Sequence, residues 1–400
     1  MKIRPVILCG GSGTRLWNNV KNFQAKQFID FGGWNLFRKT LKRINNKHFD
    51  SPIISTNKKY LSDIKKNLKK EGIRKYNIIL EPIKRNTGPA ILSSILLKNI
   101  PFDQPIIFLP SDHLIEKNSS LIRILNKKIQ FLEDKIVLFG IKPTYPSSQY
   151  GYICTKKGEN NLYKVSRFIE KPDVNKAKKI INKNTFWNAG IFLSKKKTII
   201  KNFKKYNPKI YENSLKSIYF GKQKKNIFYL NKKFYSRNKS ESFDISILEK
   251  CNNIFALKLV LPWSDLGSWS EIIKIFSKNK ANYYNKKNVF KKPWGKYINI
   301  FKGKNFLIKE LNINSKSSLS LQKHFHRSEY WTVTQGKPKI TLNKKIFFKK
   351  KGENIFIKLG SIHRVENNFI KPVKIMEVQT GSILKESDIV RYKDIYGRIK

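Results

Sequence analysis

The N-terminal segment reads Pro5-Val6-Ile7-Leu8-Cys9-Gly10-Gly11-Ser12-Gly13-Thr14-Arg15-Leu16, an apolar strand that runs directly into a glycine-rich turn. Lys26-Gln27-Phe28 follows eleven residues after Arg15. Glycines let backbone amides approach an anion closely, and amides that converge on one point act as fixed positive dipoles. The turn lacks the Gly-Lys-Ser/Thr of a Walker loop and the third glycine of a dinucleotide-binding fingerprint. It predicts a cradle for the phosphates of a nucleotide, although by itself it also fits a tight exit from a strand.

Short apolar runs alternate with longer amphipathic stretches up to about residue 270. Five runs are predicted as strands: Val6–Cys9, Pro52–Thr56, Ile78–Leu80, Ile106–Leu109 and Ile136–Phe139. The alternation indicates a Rossmann-like α/β domain with a mixed, mostly parallel sheet wrapped by helices. In open sheets of this kind the ligand binds beyond the carboxyl ends of the strands. Gly10–Arg15, Glu81–Asn86 and Pro110–His113 all follow strands, so we expect them to meet at one edge of the sheet.

The chain of 400 residues is long enough for two hydrophobic cores. Residues 270–292 are polar and rich in Lys and Asn, and we interpret them as a linker between a first domain at 1–269 and a second at 293–400. From Trp294 on, short β-branched and aromatic runs are separated by Gly, Asn and Lys turns. This pattern is typical of a small β-barrel.

The charge of the chain is strongly basic, with 83 Lys and Arg against 27 Asp and Glu, a net charge of +56. Such a balance is typical of proteins that bind nucleic acid or a membrane surface. The basic residues are spread along the whole chain and form no clustered patch, so we expect no specific nucleic-acid partner and no membrane partner. A non-catalytic polyanion-binding protein remains as a remote alternative that explains the charge but none of the motifs.

The three cysteines, Cys9, Cys154 and Cys251, have no metal-ligand spacing and are odd in number, which favours a reducing cytoplasmic compartment. No run approaches the roughly 20 apolar residues that a membrane helix needs. We therefore expect a soluble cytoplasmic protein, and the sequence leaves a homo-oligomer open.

Several further motifs occur in the order found in one enzyme family. They are Glu81-Pro82-Ile83-Lys84-Arg85-Asn86-Thr87-Gly88-Pro89-Ala90, Pro110-Ser111-Asp112-His113, Phe168-Ile169-Glu170-Lys171-Pro172, Trp187-Asn188-Ala189-Gly190-Ile191-Phe192 and Trp263-Ser264-Asp265-Leu266-Gly267-Ser268-Trp269. With the N-terminal turn they resemble mannose-1-phosphate guanylyltransferases. The C-terminal part, around Gln322-Lys323-His324-Phe325-His326-Arg327-Ser328-Glu329, resembles the cupin-like type II mannose-6-phosphate isomerase domain. The chain is thus similar over nearly its whole length to the bifunctional family that joins these two domains.

This resemblance implies the synthesis of GDP-mannose and pyrophosphate from GTP and mannose 1-phosphate. Asp112 and Asp265 would hold Mg²⁺, while Arg15 and Lys26 would neutralise the phosphates of GTP. The residues expected to bind the nucleotide are Leu8, Gly10, Gly11, Gly13, Thr14, Arg85, Asn86 and Thr87. Those expected to bind the sugar phosphate are Gly151, Glu170, Lys171 and Asn188. Taken alone, Asp112 also fits a helix cap and Asp265 a turn residue.

The second domain is expected to bind a metal and to interconvert fructose 6-phosphate and mannose 6-phosphate. Alternation predicts Gln322, His324 and His326 on one face of a strand. Cupin-like barrels commonly take ligands at i, i+2 and i+7 plus a later His, and counting from His324 would end at Trp331, which cannot serve. The expected ligands are Gln322, His324, Glu329 and His363, with His326 as a neighbour or proton shuttle and Arg364 at the phosphate. Mixed nitrogen and oxygen ligands suit Zn²⁺, Mn²⁺ or Co²⁺.

Two related interpretations remain open. The barrel could be an inactive scaffold beside an active guanylyltransferase, because members of the resembled family usually carry a longer β-rich segment between the domains. The base or the sugar could also differ from guanine or mannose, since base selection depends on a few hydrogen bonds in the pocket.

Overall fold

The computed structural model describes residues 2–11, 13–17, 24–116, 121–125, 129–156, 158, 162–278 and 288–398. The chain divides into two compact units. The first contains Met1–Gly11 and Asn35–Asp265, and the second contains Ser12–Trp34 and Leu266–Lys400. The glycine-rich turn is therefore shared, with Gly10 and Gly11 in the first unit and Gly13 in the second. Among the described residues, no helix is both long and apolar enough to cross a membrane.

The first unit is an α/β structure. Its strands are β1 (Arg4–Leu8), β2 (Ile53–Asn57), β3 (Asn77–Glu81), β4 (Pro105–Pro110), β5 (Leu114–Ile115), β6 (Ile136–Ile141), β7 (Tyr152–Thr155), β8 (Leu162–Ile169), β9 (Thr185–Lys195), β10 (Lys222–Lys224), β11 (Ile227–Tyr229), β12 (Ile254–Lys258) and β13 (Trp263–Ser264). Its helices are α1 (Leu36–Ile44), α2 (Leu61–Lys70), α3 (Thr87–Ile95), α4 (Val174–Ile180), α5 (Lys196–Tyr206), α6 (Pro208–Tyr219) and α7 (Lys232–Tyr235), with a further helical segment at 121–125.

The main sheet of this unit is mixed, as predicted, in the order β10-β11-β3-β2-β1-β4-β9-β6-β12-β8-β7. Parallel pairing joins β11, β3, β2, β1 and β4, and also β12 with β6. The remaining pairings in the sheet are antiparallel. Because β1, β3 and β4 run in the same direction, the segments that follow them share one edge of the sheet. The prediction that these segments share one edge is confirmed within the first unit, for Gly10 and Gly11, Glu81–Asn86 and Pro110–His113.

The central position of β1 follows from its composition. Residues 4–7 are buried, and Val6 and Ile7 are fully inaccessible, because both faces of the strand are covered. Of the helices in this unit, α1, α3, α4 and α7 are capped by local side chains. Asn35 accepts a hydrogen bond from the Arg38 N–H at 2.8 Å and begins α1. These elements hold β1 rigidly and fix the direction in which the chain leaves it.

The second unit is mainly β. Its elements are α8 (Trp269–Lys278), β14 (Val289–Lys292), β15 (Gly295–Lys302), β16 (Phe306–Ile313), β17 (Ser317–Ser318), β18 (Leu321–His324), β19 (Arg327–Gln335), β20 (Lys339–Leu342), β21 (Lys345–Phe348), β22 (Asn354–Ile357), β23 (His363–Asn367), β24 (Val373–Gly381) and β25 (Ile389–Lys393). One sheet has the order β14-β15-β16-β24-β19-β22 and the other β21-β20-β23-β18-β25, with β17 on β23. The sheets enclose one core, to which Trp331 and Val373 of the first and Ile340 and Val365 of the second contribute.

The expected polar linker at 270–292 is only partly a linker. Residues 270–278 continue α8, which buries Ile272, Ile273 and Phe276. This helical spacing of apolar residues was hidden by the surrounding Lys and Asn. The last residues of the interval, Val289–Lys292, form β14. Residues 279–287 lie outside the described part of the chain.

Candidate active sites

The edge of the first sheet contains a buried carboxylate at the end of β3. The Ser55 hydroxyl donates to Glu81 Oε1 at 2.8 Å, and the Tyr235 hydroxyl donates to Oε2 at 2.7 Å. A Cβ atom at Gly10 would lie 4.0 Å from Glu81 Oε1, so the turn after β1 passes beside this carboxylate. Burial raises the pKa of Glu81 to about 7. The sequence motif contained Glu81, but no role had been assigned to it.

The raised pKa of Glu81 predicts a pH-dependent stability difference. The folded chain binds this proton more tightly than an unfolded chain, in which the pKa is near 4.5, so the free energy of unfolding falls as the pH rises from about 4.5 to 7. Glu81→Gln removes this dependence. Between pH 5 and pH 8, the free energy of unfolding of the variant should therefore rise by about 2 kcal/mol relative to that of the wild type. Urea unfolding at both pH values measures this, and parallel curves would contradict it.

The motif after β3 is tied into the fold. Arg85 Nη2 donates to the Ser236 carbonyl at 2.7 Å, and the Asn86 side chain accepts from the Thr87 N–H at the start of α3. The Thr87 hydroxyl accepts from the Phe243 N–H at 2.9 Å. These bonds give Arg85, Asn86 and Thr87 structural roles, and their contact with the nucleobase stays a prediction.

The two candidate magnesium ligands lie at the same end of a short ribbon. In the antiparallel pair of β5 and β13, Ser264 is opposite Leu114 and Trp263 is opposite Ile115. Asp265 follows β13 directly, and Asp112 lies just before β5, so the ribbon brings both aspartates to one end. The Tyr150 hydroxyl donates to Asp265 Oδ1 at 2.9 Å. The two carboxylates fit a hard cation such as Mg²⁺, which prefers oxygen ligands.

The four residues expected to bind the sugar phosphate lie together in the first unit. A Cβ atom at Gly151 would lie 2.8 Å from Glu170 Oε2 and 3.6 Å from Asn188 Cβ, so a larger residue there would displace the Glu170 carboxylate. The Asn188 N–H donates to the Gly151 carbonyl at 2.8 Å. Lys171 Nζ lies 2.8 Å from Glu170 Oε1, and Lys171 has a φ of 41°. Strained backbone of this kind is concentrated at functional sites.

Sequence reasoning missed one acidic residue in this cluster. Asp244 begins a π-helical turn, and its Oδ1 accepts a hydrogen bond from Asn188 Nδ2 at 2.9 Å. Burial first, and then the charge of Glu170, raise the pKa of Asp244 to about 7. Asp244 lies 56 positions from Asn188 and belongs to none of the motifs, so only the fold reveals it.

In the second unit, the glycine-rich turn has no room for a side chain at Gly13. Gly13 has a φ of 68°, and a Cβ atom there would lie 2.5 Å from Lys26 Cβ. Gly13 therefore allows a close approach by Lys26, whose side chain is buried. Thr14–Leu16, including Arg15, forms a single helical turn directly after Gly13.

The second unit brings three expected metal ligands together. His324, Glu329 and His363 are all buried, and their potential ligand atoms lie within 4.8 Å of one another. His324 Nε2 is 3.0 Å from Glu329 Oε1, and His363 Nε2 is 3.4 Å from Glu329 Oε2. His324 Nδ1 lies 3.2 Å from the Asp388 carbonyl, and His363 Nδ1 lies 2.9 Å from the Ser361 carbonyl.

These outer contacts determine what the cluster can bind. A carbonyl can only accept, so each Nδ1 donates a proton to its carbonyl and each Nε2 faces Glu329. His363 Nε2 is also buried without a hydrogen-bond partner among the described residues. Two imidazole nitrogens and a carboxylate that converge in a buried site are ligand types that divalent transition metals accept. The residues therefore fit a divalent transition metal.

The remaining predictions for the second unit have mixed outcomes. Gln322 is buried and lies opposite His363 in the sheet, while its Oε1 accepts from the Ser320 hydroxyl at 2.9 Å. The prediction that His326 shares their face is wrong, because β18 ends at His324 and His326 is exposed in the following turn. The phosphate role of Arg364 stays a prediction, which its position in the strand does not favour. Its side chain is on the opposite face of β23 from His363, where Nη2 pairs with Glu366 at 3.1 Å.

Comparison with protein families matches both parts of the chain. The model described as nucleotidyl transferase matches residues 4–282, and the model described as mannose-6-phosphate isomerase C-terminal matches residues 278–394.

Individual relatives match over almost the full length. The alginate biosynthesis protein AlgA of Pseudomonas fluorescens is 28% identical, with 98% of this chain and 96% of that protein covered. Mannose-1-phosphate guanylyltransferase of Escherichia coli is 27% identical, with 100% and 99% covered. The crystal structure of mannose-6-phosphate isomerase from Helicobacter pylori is 27% identical, with a TM-score of 0.57 over 66% of this chain and 100% of that one. The first two alignments span 466 and 474 positions, so both relatives contain residues that this 400-residue chain lacks.

Proposed function

Because the chain belongs to the nucleotidyl transferase family, we propose that it transfers GMP from GTP to α-D-mannose 1-phosphate, giving GDP-mannose and pyrophosphate. The observation that carries this proposal is the ribbon of β5 and β13, which brings Asp112 and Asp265 together at one end. The guanylyltransferase relative supports the choice of base and sugar. We assign this activity to the domain at 1–269.

The reaction joins two anions, so charge is its main obstacle. A phosphate oxygen of mannose 1-phosphate attacks the α-phosphorus of GTP, the bond to the β-phosphate breaks, and pyrophosphate leaves with the electron pair. Members of such families use divalent metals, and Mg²⁺ bound by Asp112 and Asp265 would offset the phosphate charge. Tyr150 holds the Asp265 carboxylate in one orientation. Arg15 and Lys26 offset the charge that develops on the departing pyrophosphate.

The acceptor is bound by the cluster around Gly151. The Glu170 carboxylate accepts hydrogen bonds from sugar hydroxyls, and the Lys171 ammonium pairs with the phosphate. Asn188 is held by Asp244 and positions the sugar ring. Leu8, Gly10 and Gly11, at the carboxyl end of β1, bind the nucleotide in this proposal.

The test is release of pyrophosphate with mannose 1-phosphate, Mg²⁺ and each nucleoside triphosphate in turn. We expect pyrophosphate release when GTP and mannose 1-phosphate are both present, and none when mannose 1-phosphate is omitted. Release with another triphosphate instead would identify a different base specificity, and release with glucose 1-phosphate instead would identify a different sugar. Retention of duplex DNA at physiological salt without any pyrophosphate release would favour the polyanion-binding alternative.

A second activity is favoured by the buried cluster of His324, Glu329 and His363. The domain at 293–400 interconverts fructose 6-phosphate and mannose 6-phosphate, as the isomerase model over 278–394 suggests. Zn²⁺, Mn²⁺ or Co²⁺ held there, with Gln322 beside it, would polarise the carbonyl of the open-chain sugar. Conversion of fructose 6-phosphate after addition of each metal tests this. If none of these metals gives conversion of fructose 6-phosphate, the barrel is a scaffold without isomerase activity.

A further inference from the structure

Arg391 on β25 is a half-buried cation without an assigned role. Its neighbours Val390 and Tyr392 are exposed, so alternation turns Arg391 toward the interior of the barrel. Its Nε atom is buried and has no hydrogen-bond partner among the described residues. A buried donor without an acceptor is destabilising, and most strongly so when the group is charged. This arrangement is suited to an anionic ligand that enters the barrel.

The register of the sheet relates Arg391 to the metal-ligand cluster. Gln322 of β18 is opposite His363 of β23 on one side and opposite Arg391 of β25 on the other. Directly opposed residues of antiparallel strands project from the same face. His363, Gln322 and Arg391 therefore form one row across three strands. Arg391 faces the interior beside the cluster but is separated from His363 by the width of one strand.

The cavity that Arg391 lines also contains four other cations, Lys292, Lys309, Arg327 and Arg398, and three carboxylates, Glu329, Glu377 and Glu386. Asp394 fixes the guanidinium of Arg398, since its Oδ2 accepts from Nε at 2.9 Å and its Oδ1 accepts from Nη2 at 2.6 Å. Lys309 Nζ lies 3.5 Å from Glu386 Oε1. A guanidinium fork matches two oxygens of a phosphate, and a prearranged fork loses little freedom on binding.

We propose that Arg391, assisted by Arg398, binds the phosphate of an open-chain hexose 6-phosphate whose carbonyl end lies at His324, Glu329 and His363. This proposal rests on the isomerase function proposed above and assigns the phosphate end of its substrate. Such a sugar carries its phosphate at the opposite end of the carbon chain from the carbonyl, which matches a cation one strand removed from the cluster. The same position cannot be reached by Arg364 on the outer face of β23.

The test is calorimetric titration of the full chain with fructose 6-phosphate, with GDP-mannose present to occupy the first unit. Arg391→Ala should raise the Kd by about 10- to 100-fold, the effect of losing hydrogen bonds to a charged group. Arg391→Lys keeps the charge but loses the fork, so its Kd should be intermediate. Arg364→Ala is the matched control, because it removes the same side chain beside a metal ligand but from the outer face, and its Kd should stay within about twofold of the wild type.

Several further outcomes decide the proposal. Fructose without phosphate should bind the wild type and Arg391→Ala equally, and a difference between them would overturn the phosphate assignment. An unchanged Kd for fructose 6-phosphate in folded Arg391→Ala, or an equal loss in Arg364→Ala, would also overturn it. If thermal melting shows that Arg391→Ala is unfolded, an unchanged Kd in Arg391→Lys would overturn it instead. Binding that depends on Arg391 in a chain with no isomerase turnover would uphold the phosphate site while contradicting the isomerase function.

Discussion

Asp265→Asn should lower kcat/KM for GDP-mannose synthesis by about 10³-fold, because a metal ion commonly supplies several kcal/mol of charge stabilisation in the transition state. The substitution changes one oxygen to an amide nitrogen and keeps the acceptor for the Tyr150 hydroxyl. The fold should therefore be retained while the pair formed with Asp112 loses half of its negative charge. Pyrophosphate release with GTP, mannose 1-phosphate and increasing Mg²⁺ measures the effect, and the Mg²⁺ requirement should rise.

Two companion variants separate metal binding from orientation. Tyr150→Phe leaves both carboxylates but removes the hydrogen bond to Asp265, so we expect a loss of only about tenfold. Asp103→Asn is the matched control, since it removes a carboxylate that is exposed and pairs with Lys197 at 2.8 Å. Its activity should be unchanged. Asp265→Asn with more than a tenth of the wild-type activity would exclude Asp265 as a required ligand.

The edge of the first sheet could be predicted because it follows from local patterns. Three of the five apolar runs end at a motif, and parallel strands bring their carboxyl ends to one side. The contacts that orient the candidate residues could not be predicted in this way. Tyr150 and Asp265 lie 115 positions apart, and Asn188 and Asp244 lie 56 apart, so no spacing rule connects them.

The positions of Arg364 and His326 depend on different features of the chain. Arg364 directly follows the expected ligand His363, and strict alternation along a strand already implies that neighbours face opposite sides. The side of β23 on which Arg364 lies could therefore have been predicted from the sequence. The position of His326 depends on where β18 ends, and there Asp388 accepts hydrogen bonds from the Phe325 and His326 N–H groups, closing the turn. A carboxylate 62 positions away determines this turn, so the sequence pattern alone did not reveal it.

Glu329→Gln should abolish metal binding by the second unit while leaving GDP-mannose synthesis intact. Glu329 is the only anion of the described cluster, and each of its oxygens faces an imidazole Nε2. Without its charge we expect the affinity for Co²⁺ or Zn²⁺ to fall by at least about 100-fold, the upper range seen even for outer partners of metal ligands. Metal content after dialysis measures the loss, and isomerase turnover should disappear with it.

The same variant separates a structural metal from an adventitious one. A metal that binds only the folded barrel stabilises it by mass action, so addition of metal at about one hundred times its Kd should raise the wild-type Tm by about 4 °C or more. Glu329→Gln should show no such shift. Glu366→Gln is the matched control, since Glu366 lies on the outer face of β23 and pairs with Arg364, and it should bind metal as the wild type does. A metal-dependent Tm that persists in Glu329→Gln would place the ion elsewhere and contradict the ligand assignment. A neutral amide cannot replace the carboxylate charge that balances the cation beside the two imidazoles.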